Sequence, residues 1–296
     1  MLDINKVEST NMITIVGTLN ELEIEKKTTA DGRDYIQGKA SVRVEQEIGG
    51  EPKQCIVPVR MFSMKLKKDG NPNAVYAGIE RMENDFTSLA AAEEPSQASR
   101  VIISGAKIQE NMWLDKSTKQ PRFGFQISSN FMKKARPEEK DDSAKFELSG
   151  VIGRIMRETD RDGEETGRLL VSLIVIGYNG KADKIDLIAQ NPVAVNHIEN
   201  KWNEGDTVSL AGIVNMTYTT RTWTEEQGFG EPIVRHKTES KRELLITSGS
   251  PSGLDEELSY DADQIKLALD DRKKRIAKLS ENNKPAPAAK STSFGF

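Results

Sequence analysis

Ile15-Val-Gly-Thr-Leu-Asn20 near the start of the chain is answered by Leu148-Ser-Gly-Val-Ile-Gly153 in its second half. Three further pairs of similar segments follow in the same order. They are the Asp-Gly turns with the strand-like runs after them (31–44 and 162–173), the Asn-Pro segments (71–75 and 191–195) and two runs that end in glycine (101–105 and 208–212). Four matching segments in one order predict an internal duplication, in which each copy forms one structural unit.

Each copy has the pattern of a small β-barrel. In the first copy, alternating apolar and polar residues predict strands over 12–25, 35–48, 54–62, 101–113 and 123–132, with a helix over 71–82 that has a proline in its first turn. The second copy predicts strands over 146–158, 168–178, 184–188, 207–224 and 233–246, with a helix over 191–202. Five strands with a helix between the third and the fourth follow the element order of the OB fold.

The predicted fold is therefore all-β, with two tandem five-stranded OB-fold barrels, a C-terminal helix and a disordered tail. We expect the first domain over 1–135, a charged linker over 136–143, the second domain over 144–250, the helix within 251–280 and the tail over 281–296. The helix carries Ile265, Leu269, Arg272 and Ile276 on one face, and an isolated helix of this length is marginal in water. It should pack against its own barrel or against a second chain.

Bulk composition excludes several classes of protein. The 296 residues are 36% hydrophobic and 30% charged, with a net charge of −4. No apolar run approaches the ~20 residues that span a bilayer, and the N-terminus lacks the basic and apolar regions of a secretory signal. A single cysteine, Cys55, excludes an internal disulfide framework, and His197 and His236 form no classical zinc constellation. We expect a cytoplasmic protein with no membrane contact, no metal and no cofactor.

No motif indicates catalysis. The chain has neither a Gly-x4-Gly-Lys-Ser/Thr phosphate loop nor a Gly-x-Ser-x-Gly nucleophile turn. Cys55 lies in an apolar strand, which favours a buried and unreactive thiol, and His197 lies within a predicted helix as a surface or packing residue. His236 lies between Arg235 and Lys237, where it is either an ordinary surface residue or a contact to a phosphate. We therefore predict that the protein is not an enzyme.

Aromatic and basic residues lie together near the predicted loops of both copies. Proteins that bind single strands combine basic groups along a groove with exposed aromatic rings that stack on bases. A strand aromatic is more often a core residue, so we expect about half of these rings to be buried. Trp113, Trp223 and Phe229 border polar loops, which favours exposure. The candidate nucleic-acid-binding residues are Arg33, Tyr35, Arg60, Phe62, Lys65, Trp113, Arg122, Phe123, Lys133, Tyr178, Tyr218, Arg221, Trp223, Phe229, Arg235 and Lys237.

The tandem Val/Leu-x-Gly-x-Leu/Ile, Asp-Gly, Asn-Pro-x-Ala-Val and Val-x-Ile/Leu-x-Gly segments, within residues 12–248, resemble the bacteriophage single-stranded-DNA-binding proteins built from two OB domains. The resemblance implies a phage or prophage protein in the cytoplasm of a bacterial host. Such a protein coats and protects single-stranded DNA during replication or recombination, with one groove in each barrel. Phe294 and Phe296 resemble the hydrophobic tail tip through which single-strand binders recruit replication and recombination proteins.

Two questions stay open from the sequence. OB-like barrels also bind proteins, and a net charge of −4 with 6% aromatic residues fits a protein-interaction or virion-associated scaffold that binds no nucleic acid. Retention on single-stranded DNA cellulose that falls as salt rises distinguishes the DNA-binding protein from the scaffold. The oligomeric state is also open, with a homodimer among the expected forms.

Overall fold

The computed structural model describes residues 1–160, 162–227, 229 and 232–281, with the side chains of Arg221 and Glu281 left out. These residues form eleven strands and three α-helices. In chain order they are β1 (Asn11–Thr28), β2 (Asp34–Ile48), β3 (Glu51–Met64), α1 (Ala74–Asp85), β4 (Arg100–Leu114), β5 (Pro121–Ser128), β6 (Lys133–Lys134), β7 (Ser143–Thr159), β8 (Glu165–Ile176), β9 (Ala182–Ala189), α2 (Pro192–Lys201), β10 (Thr207–Glu225), β11 (Ile233–Gly249) and α3 (Ala262–Glu281). Of the tail predicted over 281–296, Glu281 ends α3 and residues 282–296 lie outside the described residues.

The strands close into two five-stranded rings. In barrel 1, each strand pairs with the next in the order β1-β2-β3-β5-β4, and β4 pairs again with β1. Barrel 2 repeats this arrangement as β7-β8-β9-β11-β10, closed by β10 against β7. The closing pair β3–β5 is parallel in barrel 1, as is β9–β11 in barrel 2. This order confirms the predicted all-β fold of two OB barrels followed by a C-terminal helix.

The observed helices α1 and α2 begin slightly later in the chain than the sequence predicts. In the second copy, where a helix is predicted over 191–202, Asn191 caps α2 by accepting a hydrogen bond from the backbone nitrogen of Val193, and Pro192 is the first helical residue. In the first copy, where a helix is predicted over 71–82, the side chain of Asn73 accepts from the backbone nitrogen of Val75, and α1 begins two residues after Pro72. A second asparagine downstream therefore moves the start of the helix.

A glycine lets the first strand of each barrel bend and pair with two partners in succession. Residues 13–18 of β1 pair with β4 and residues 18–28 pair with β2. At the bend, a Cβ added to Gly17 would lie 2.3 Å from the carbonyl oxygen of Arg43 on β2. The second copy has the same geometry, because a Cβ on Gly150 would lie 2.4 Å from the carbonyl oxygen of Ile174 on β8. The repeated glycine is thus a site of close strand contact.

The two barrels are joined by antiparallel pairing of β1 with β7. Asn11 lies opposite Leu148 and Ile15 lies opposite Ala144. Because Gly17 corresponds to Gly150, Asn11 corresponds to Ala144 and Ile15 corresponds to Leu148. The two pairs are therefore equivalent, with the copies exchanged, and the junction has a local two-fold relation. The buried apolar residues of both barrels form one contiguous cluster across it. The division into separate domains over 1–135 and 144–250, with a linker over 136–143, stays a prediction.

Helix α3 packs on the outer surface of barrel 2. Ile265 and Ala268 of the helix are buried against Ile174, Ile176 and Ala182, which lie on the outer side of β8 and β9. The N-terminal segment joins this second apolar cluster through Ile4, whose backbone nitrogen donates to the side chain of Gln264. The narrow apolar stripe of the helix is therefore covered by its own barrel. No helix in the described part of the chain has the length and apolar character needed to cross a membrane.

Gly150→Ala should lower the free energy of unfolding by about 1–3 kcal/mol, because the new methyl group overlaps a carbonyl oxygen of the neighbouring strand. The measurement is urea unfolding followed by intrinsic fluorescence. Gly78→Ala is the matched control, since Gly78 lies in α1 where an added Cβ meets no atom within 4 Å. Alanine there should be neutral or stabilise the helix by about 0.5–1 kcal/mol. Equal stability of the two variants would contradict the close-contact explanation.

Candidate nucleic-acid interface

The outer surface of strands β2 and β3 presents two aromatic rings and two basic residues. Phe62 is 54% exposed, and its ring centroid lies 5.5 Å from that of Tyr35, which is half-buried. Arg60 precedes Phe62 by two residues and therefore lies on the same side of β3, opposite Lys39 of β2. Tyr35, Lys39, Arg60 and Phe62 are called the β2–β3 face below. In OB folds this surface and the neighbouring loops bind oligonucleotides.

Phe131 adds an exposed ring that is not among the predicted binding residues. The sequence pattern predicts a fifth strand over 123–132, which would include Phe131, but β5 ends at Ser128. The turn after it is held against β3, because Ser129 donates its backbone N–H to Arg60 and the side chain of Asn130 accepts from the backbone of Phe62. Phe131 follows in this turn and is 63% exposed. The Ser-Ser-Asn sequence before it was the available signal, since these residues favour turns.

The β4–β5 hairpin places its two predicted aromatics on opposite sides. Trp113 lies opposite Arg122 in register, whereas Phe123 lies opposite Met112, the neighbour of Trp113. Both rings are about half exposed. Trp113 lies over Gly124, and the ring of Phe123 is covered by the guanidinium of Arg272 from α3 at 5.3 Å from its centroid. A single ligand would therefore contact Trp113 and Phe123 from different directions.

Strands β10 and β11 extend beyond barrel 2 as a two-stranded arm, defined as residues 218–225 and 233–242. Every side chain described in the arm is exposed, on both of its surfaces. The arm extends roughly 25 Å, since eight strand residues rise about 3.3 Å each. Trp223 lies opposite Arg235 on one surface, and Tyr218 lies opposite Ser240 on the other. Arg221 lies opposite Lys237 in the backbone register, and its side chain is outside the described residues.

The remaining predicted residues are dispersed. Phe229 lies in the turn of the arm and is 95% exposed. Tyr178 is 75% exposed in the turn between β8 and β9, away from the arm in the barrel topology. Lys133 is exposed in β6, which pairs with β4. Of the eight predicted aromatic side chains, seven are exposed and Tyr35 is half-buried, so the expectation that half would lie in the core is wrong. Phe294 and Phe296 lie outside the described residues.

Most of the predicted basic side chains already have a carboxylate partner. The exposed pairs are Arg33–Asp31 (2.8 Å), Lys65–Asp34 (2.9 Å), Arg122–Asp115 (3.6 Å), Arg235–Glu225 (2.9 Å) and Lys237–Glu239 (2.9 Å). Within the described residues, Arg60 and Lys133 form no ion pair. Exposed pairs contribute only about 0–1 kcal/mol each, so a phosphate group can replace the carboxylate. Arg60 meets no such competition.

The electrostatics of the β4–β5 loop centre on Asp115. The hydroxyl of Ser117 donates to its carboxylate at 2.6 Å, and the backbone nitrogens of Thr118 and Ser117 donate at 2.9 and 3.0 Å. These hydrogen bonds hold the pKa of Asp115 well below its usual range, so the carboxylate stays ionised beside Arg122. Asp115 thus shapes the turn and reduces the positive potential of the hairpin.

Cys55 and His197 have structural roles, whereas His236 lies exposed on the arm. Cys55 is fully buried, and its burial raises the pKa of the thiol, which keeps it protonated and unreactive. His197 packs against Trp202 with the rings nearly perpendicular at 6.2 Å. His236 is exposed on the arm and shares a hydrogen bond with the hydroxyl of Thr222 at 3.0 Å. Within the described residues, no group of three or more His, Cys, Asp and Glu side chains has a geometry suited to a metal ion.

Helix α3 covers Ile174, Ile176 and Ala182 at one end of the β8–β9 surface of barrel 2. Ile174 corresponds to Arg43, because the glycine at the bend of the first strand approaches the carbonyl oxygen of each. The covered end therefore corresponds to the part of β2 beyond Lys39 and not to the β2–β3 face. The prediction of one groove in each barrel stays a prediction. The exposed aromatics of barrel 2 lie mainly on the arm.

Arg272 of α3 connects the helix to both barrels. It donates to both carboxylate oxygens of Glu110 on β4, from Nε at 2.8 Å and from a terminal nitrogen, and the Glu110 side chain is 1% exposed. This bidentate pairing raises the pKa of Arg272. One turn further along, Arg275 donates to the backbone carbonyl of Ala182 on β9. The helix therefore contacts barrel 1 and barrel 2 at once.

Arg272→Met should destabilise the protein by about 3 kcal/mol or more, because it leaves the buried carboxylate of Glu110 without its cation. We expect a lower midpoint in urea unfolding and faster cleavage of α3 by trypsin. Lys274→Met is the control on the same helix, since Lys274 pairs with Asp271 and both side chains are exposed. That variant should stay within about 0.5 kcal/mol of the parent. Two equally stable variants would show that the Arg272–Glu110 pair does not hold the helix.

Comparisons with known proteins place the chain in a family. A family model described as YorF matches residues 9–282. No curated protein sequence matches the chain. Among solved structures, it is similar to the wild-type single-stranded DNA binding protein from Thermus aquaticus, with 12% identity, a TM-score of 0.48 and coverage of 87% of this chain and 99% of that chain. A deletion mutant of that protein gives 10% identity, a TM-score of 0.47 and coverage of 86% and 98%. Similarity at this level does not define a shared function.

Proposed function

The chain belongs to the YorF family, and we propose that it is a non-enzymatic protein that binds single-stranded DNA. The observation that carries the proposal is the β2–β3 face, where Phe62 and Tyr35 lie beside Arg60, a cation with no ion pair in the described part of the chain. Unpaired bases stack on exposed rings without regard to sequence, while a guanidinium holds the backbone phosphate. Phe131 widens the same surface in the turn held against β3.

The arm of barrel 2 supplies the second contact. Trp223 is 48% exposed and lies opposite Arg235, so one surface of the arm offers a ring and a cation together. An isolated two-stranded ribbon is only marginally stable in water. Binding a strand of DNA would order it further. Two contacts on one chain also raise the local concentration of the strand for the second contact once the first has formed.

In this proposal the protein coats and protects single-stranded DNA during phage DNA replication or recombination, in the cytoplasm of a bacterial host. Its action is stoichiometric, since binding alone keeps the strand from pairing and from nucleases. The net charge of −4 is compatible with this role, because the binding surface needs only local positive potential. Recruitment of replication or recombination proteins through Phe294 and Phe296, and assembly into a homodimer, remain predictions.

A protein-interaction scaffold is the second candidate, and the charges near the β2–β3 face favour it. Glu21, Glu23 and Glu25 form an exposed acidic row on β1, directly beside β2. Glu23 reaches Lys39 at 3.7 Å. A scaffold would use the same exposed rings against a protein surface. Retention on single-stranded DNA cellulose separates the candidates, because DNA binding weakens as salt rises whereas a scaffold is not retained at low salt.

Phe62→Ala should weaken binding to a thymidine oligonucleotide by about 1–3 kcal/mol, which is the contribution of one stacked base. The folded state should be nearly unaffected, because the ring is 54% exposed. Fluorescence anisotropy of a labelled oligonucleotide measures the affinity. Tyr178→Ala is the matched control, since its ring is 75% exposed but lies in the β8–β9 turn. A larger loss of affinity in the control would place the DNA-binding surface elsewhere.

Arg60→Ala should make the dependence of log affinity on log salt shallower by about 0.7, the slope contributed by one phosphate contact on a single strand. The control is Arg33→Ala, because Arg33 already pairs with Asp31 at 2.8 Å in the β1–β2 turn. We expect a smaller change of slope in this control. Affinities of both variants at several salt concentrations give the comparison. An unchanged slope for the Arg60 variant would remove this residue from the interface.

A further inference from the structure

The arm of barrel 2 has an unpaired strand edge along β10. Residues 207–213 of β10 pair with β7, and Thr217 pairs with Cys55 of β3. Residues 218–225 pair with β11 alone among the described residues. We call residues 218–225 the β10 edge. On the side away from β11, its backbone N–H and C=O groups are open to one more strand.

The β10 edge lacks the features that normally protect an exposed strand. Its sequence, Tyr-Thr-Thr-Arg-Thr-Trp-Thr-Glu, favours a strand and contains no proline, glycine or lysine. The register with β11 runs without a bulge from Gly212 to the end of β10. The arm segment of β11 differs, because Arg235, Lys237 and Lys241 lie along it and would repel a second copy of the same strand. The edge suited to pairing is therefore that of β10.

Pairing along this edge would supply support that the arm lacks. A two-stranded ribbon is only marginally stable in water, whereas three or more strands form a stable sheet more readily. Every side chain described in the arm is exposed, so neither surface of the ribbon is covered. An added strand would bond the open backbone groups of β10 and widen the ribbon into a sheet.

The β10 edge is complementary to the same edge of a second molecule. Identical strands can pair antiparallel about a two-fold axis, and this arrangement closes at two molecules. With the axis at Trp223, Thr222 of each molecule lies opposite Thr224 of the other. Arg221 then lies opposite Glu225, a residue of opposite charge. The two tryptophans form an aromatic pair across the strands, which stabilises a sheet.

We propose that two molecules of this protein associate by antiparallel pairing of their β10 edges, with the two-fold axis at Trp223. The resulting four-stranded sheet carries both Trp223 rings on the surface that also presents Arg235 of each molecule. The association itself needs no DNA. If DNA binds as proposed above, one strand contacts rings from both molecules. The paired segment is short and buries less than the ~1,200 Å² of a stable interface, so the dimer dissociates reversibly in the micromolar range.

Disulfide trapping tests the register of the pairing. A mixture of Thr222→Cys and Thr224→Cys proteins should form a linked dimer on oxidation, because the two positions lie opposite each other about 5 Å apart. Either protein alone should link far less, since its cysteines lie diagonally at about 7–8 Å. The control mixes Thr224→Cys with Thr238→Cys, because Thr238 lies on the same surface of the arm but in β11. Cys55 is fully buried and gives no background.

Sedimentation velocity of the full-length protein without DNA measures the association directly. Trp223→Lys should raise the dissociation constant of the dimer about fivefold or more, because two lysines then lie opposite each other at the axis. Tyr178→Lys is the control, since this exposed ring lies outside the arm.

The outcomes separate this inference from the proposed function. A parent that stays monomeric throughout the micromolar range overturns the pairing and leaves DNA binding standing. Linkage that is as efficient with Thr238→Cys as with Thr222→Cys also overturns it. A dimer that links as expected but binds no oligonucleotide supports the pairing and overturns the proposed function. The trapping experiment keeps the real threonine surface nearly intact, so it covers the case in which Trp223→Lys does not fold.

Discussion

The bend of the first strand in each barrel is the constraint on which the architecture depends. A five-stranded ring closes only if β1 pairs with β2 along one part of its length and with β4 along another. At the change of partner the two backbones approach so closely that no side chain fits at Gly17, and Gly150 repeats the geometry in β7. Any larger residue would push the strands apart at the point where the ring closes.

The same bend leaves the start of β1 free to pair outside its own barrel. Residues 11–16 lie against β7, and the symmetric register makes the junction resemble an interface between two identical subunits within one chain. The cores of the two barrels are continuous across it. This junction brings the β2–β3 turn of barrel 1 against the base of the arm, where β3 meets β10. The candidate interface is therefore built from both copies.

The two copies share a fold but have different surfaces. Barrel 1 has an exposed β2–β3 face with aromatic rings and an arginine that forms no ion pair within the described residues, whereas barrel 2 carries α3 over one end of β8 and β9 and extends its last hairpin into an arm. The Arg272–Glu110 pair fastens α3 to barrel 1 as well. The two copies have diverged, so that barrel 1 has the β2–β3 face and barrel 2 has the arm. A single strand of DNA would therefore contact dissimilar surfaces along its length.

Local sequence patterns predict the strands and helices, whereas contacts between distant parts of the chain leave no local signal. Strand alternation and the Asp-Gly and Asn-Pro segments indicated the strand order correctly, because these signals are local. Gly105 and Gly212 align in sequence, but glycine is required at the two positions for different reasons. Gly105 has a φ of +68°, whereas Gly212 packs against the carbonyl oxygen of Leu245. The cover of α3 over β8–β9 and the partner of Arg272, which is 162 residues away, could not be inferred from spacing.

Hydrogen–deuterium exchange with and without a thymidine oligonucleotide tests the central claim most directly, that one strand of DNA binds to the open face of barrel 1 and the arm of barrel 2. The account predicts slower exchange in residues 35–64 and in the arm, where backbone groups at the exposed surface become covered by DNA. Exchange in residues 174–182 should be unchanged, because α3 already covers Ile174, Ile176 and Ala182. Slower exchange in residues 174–182, with the arm unchanged, would contradict the account.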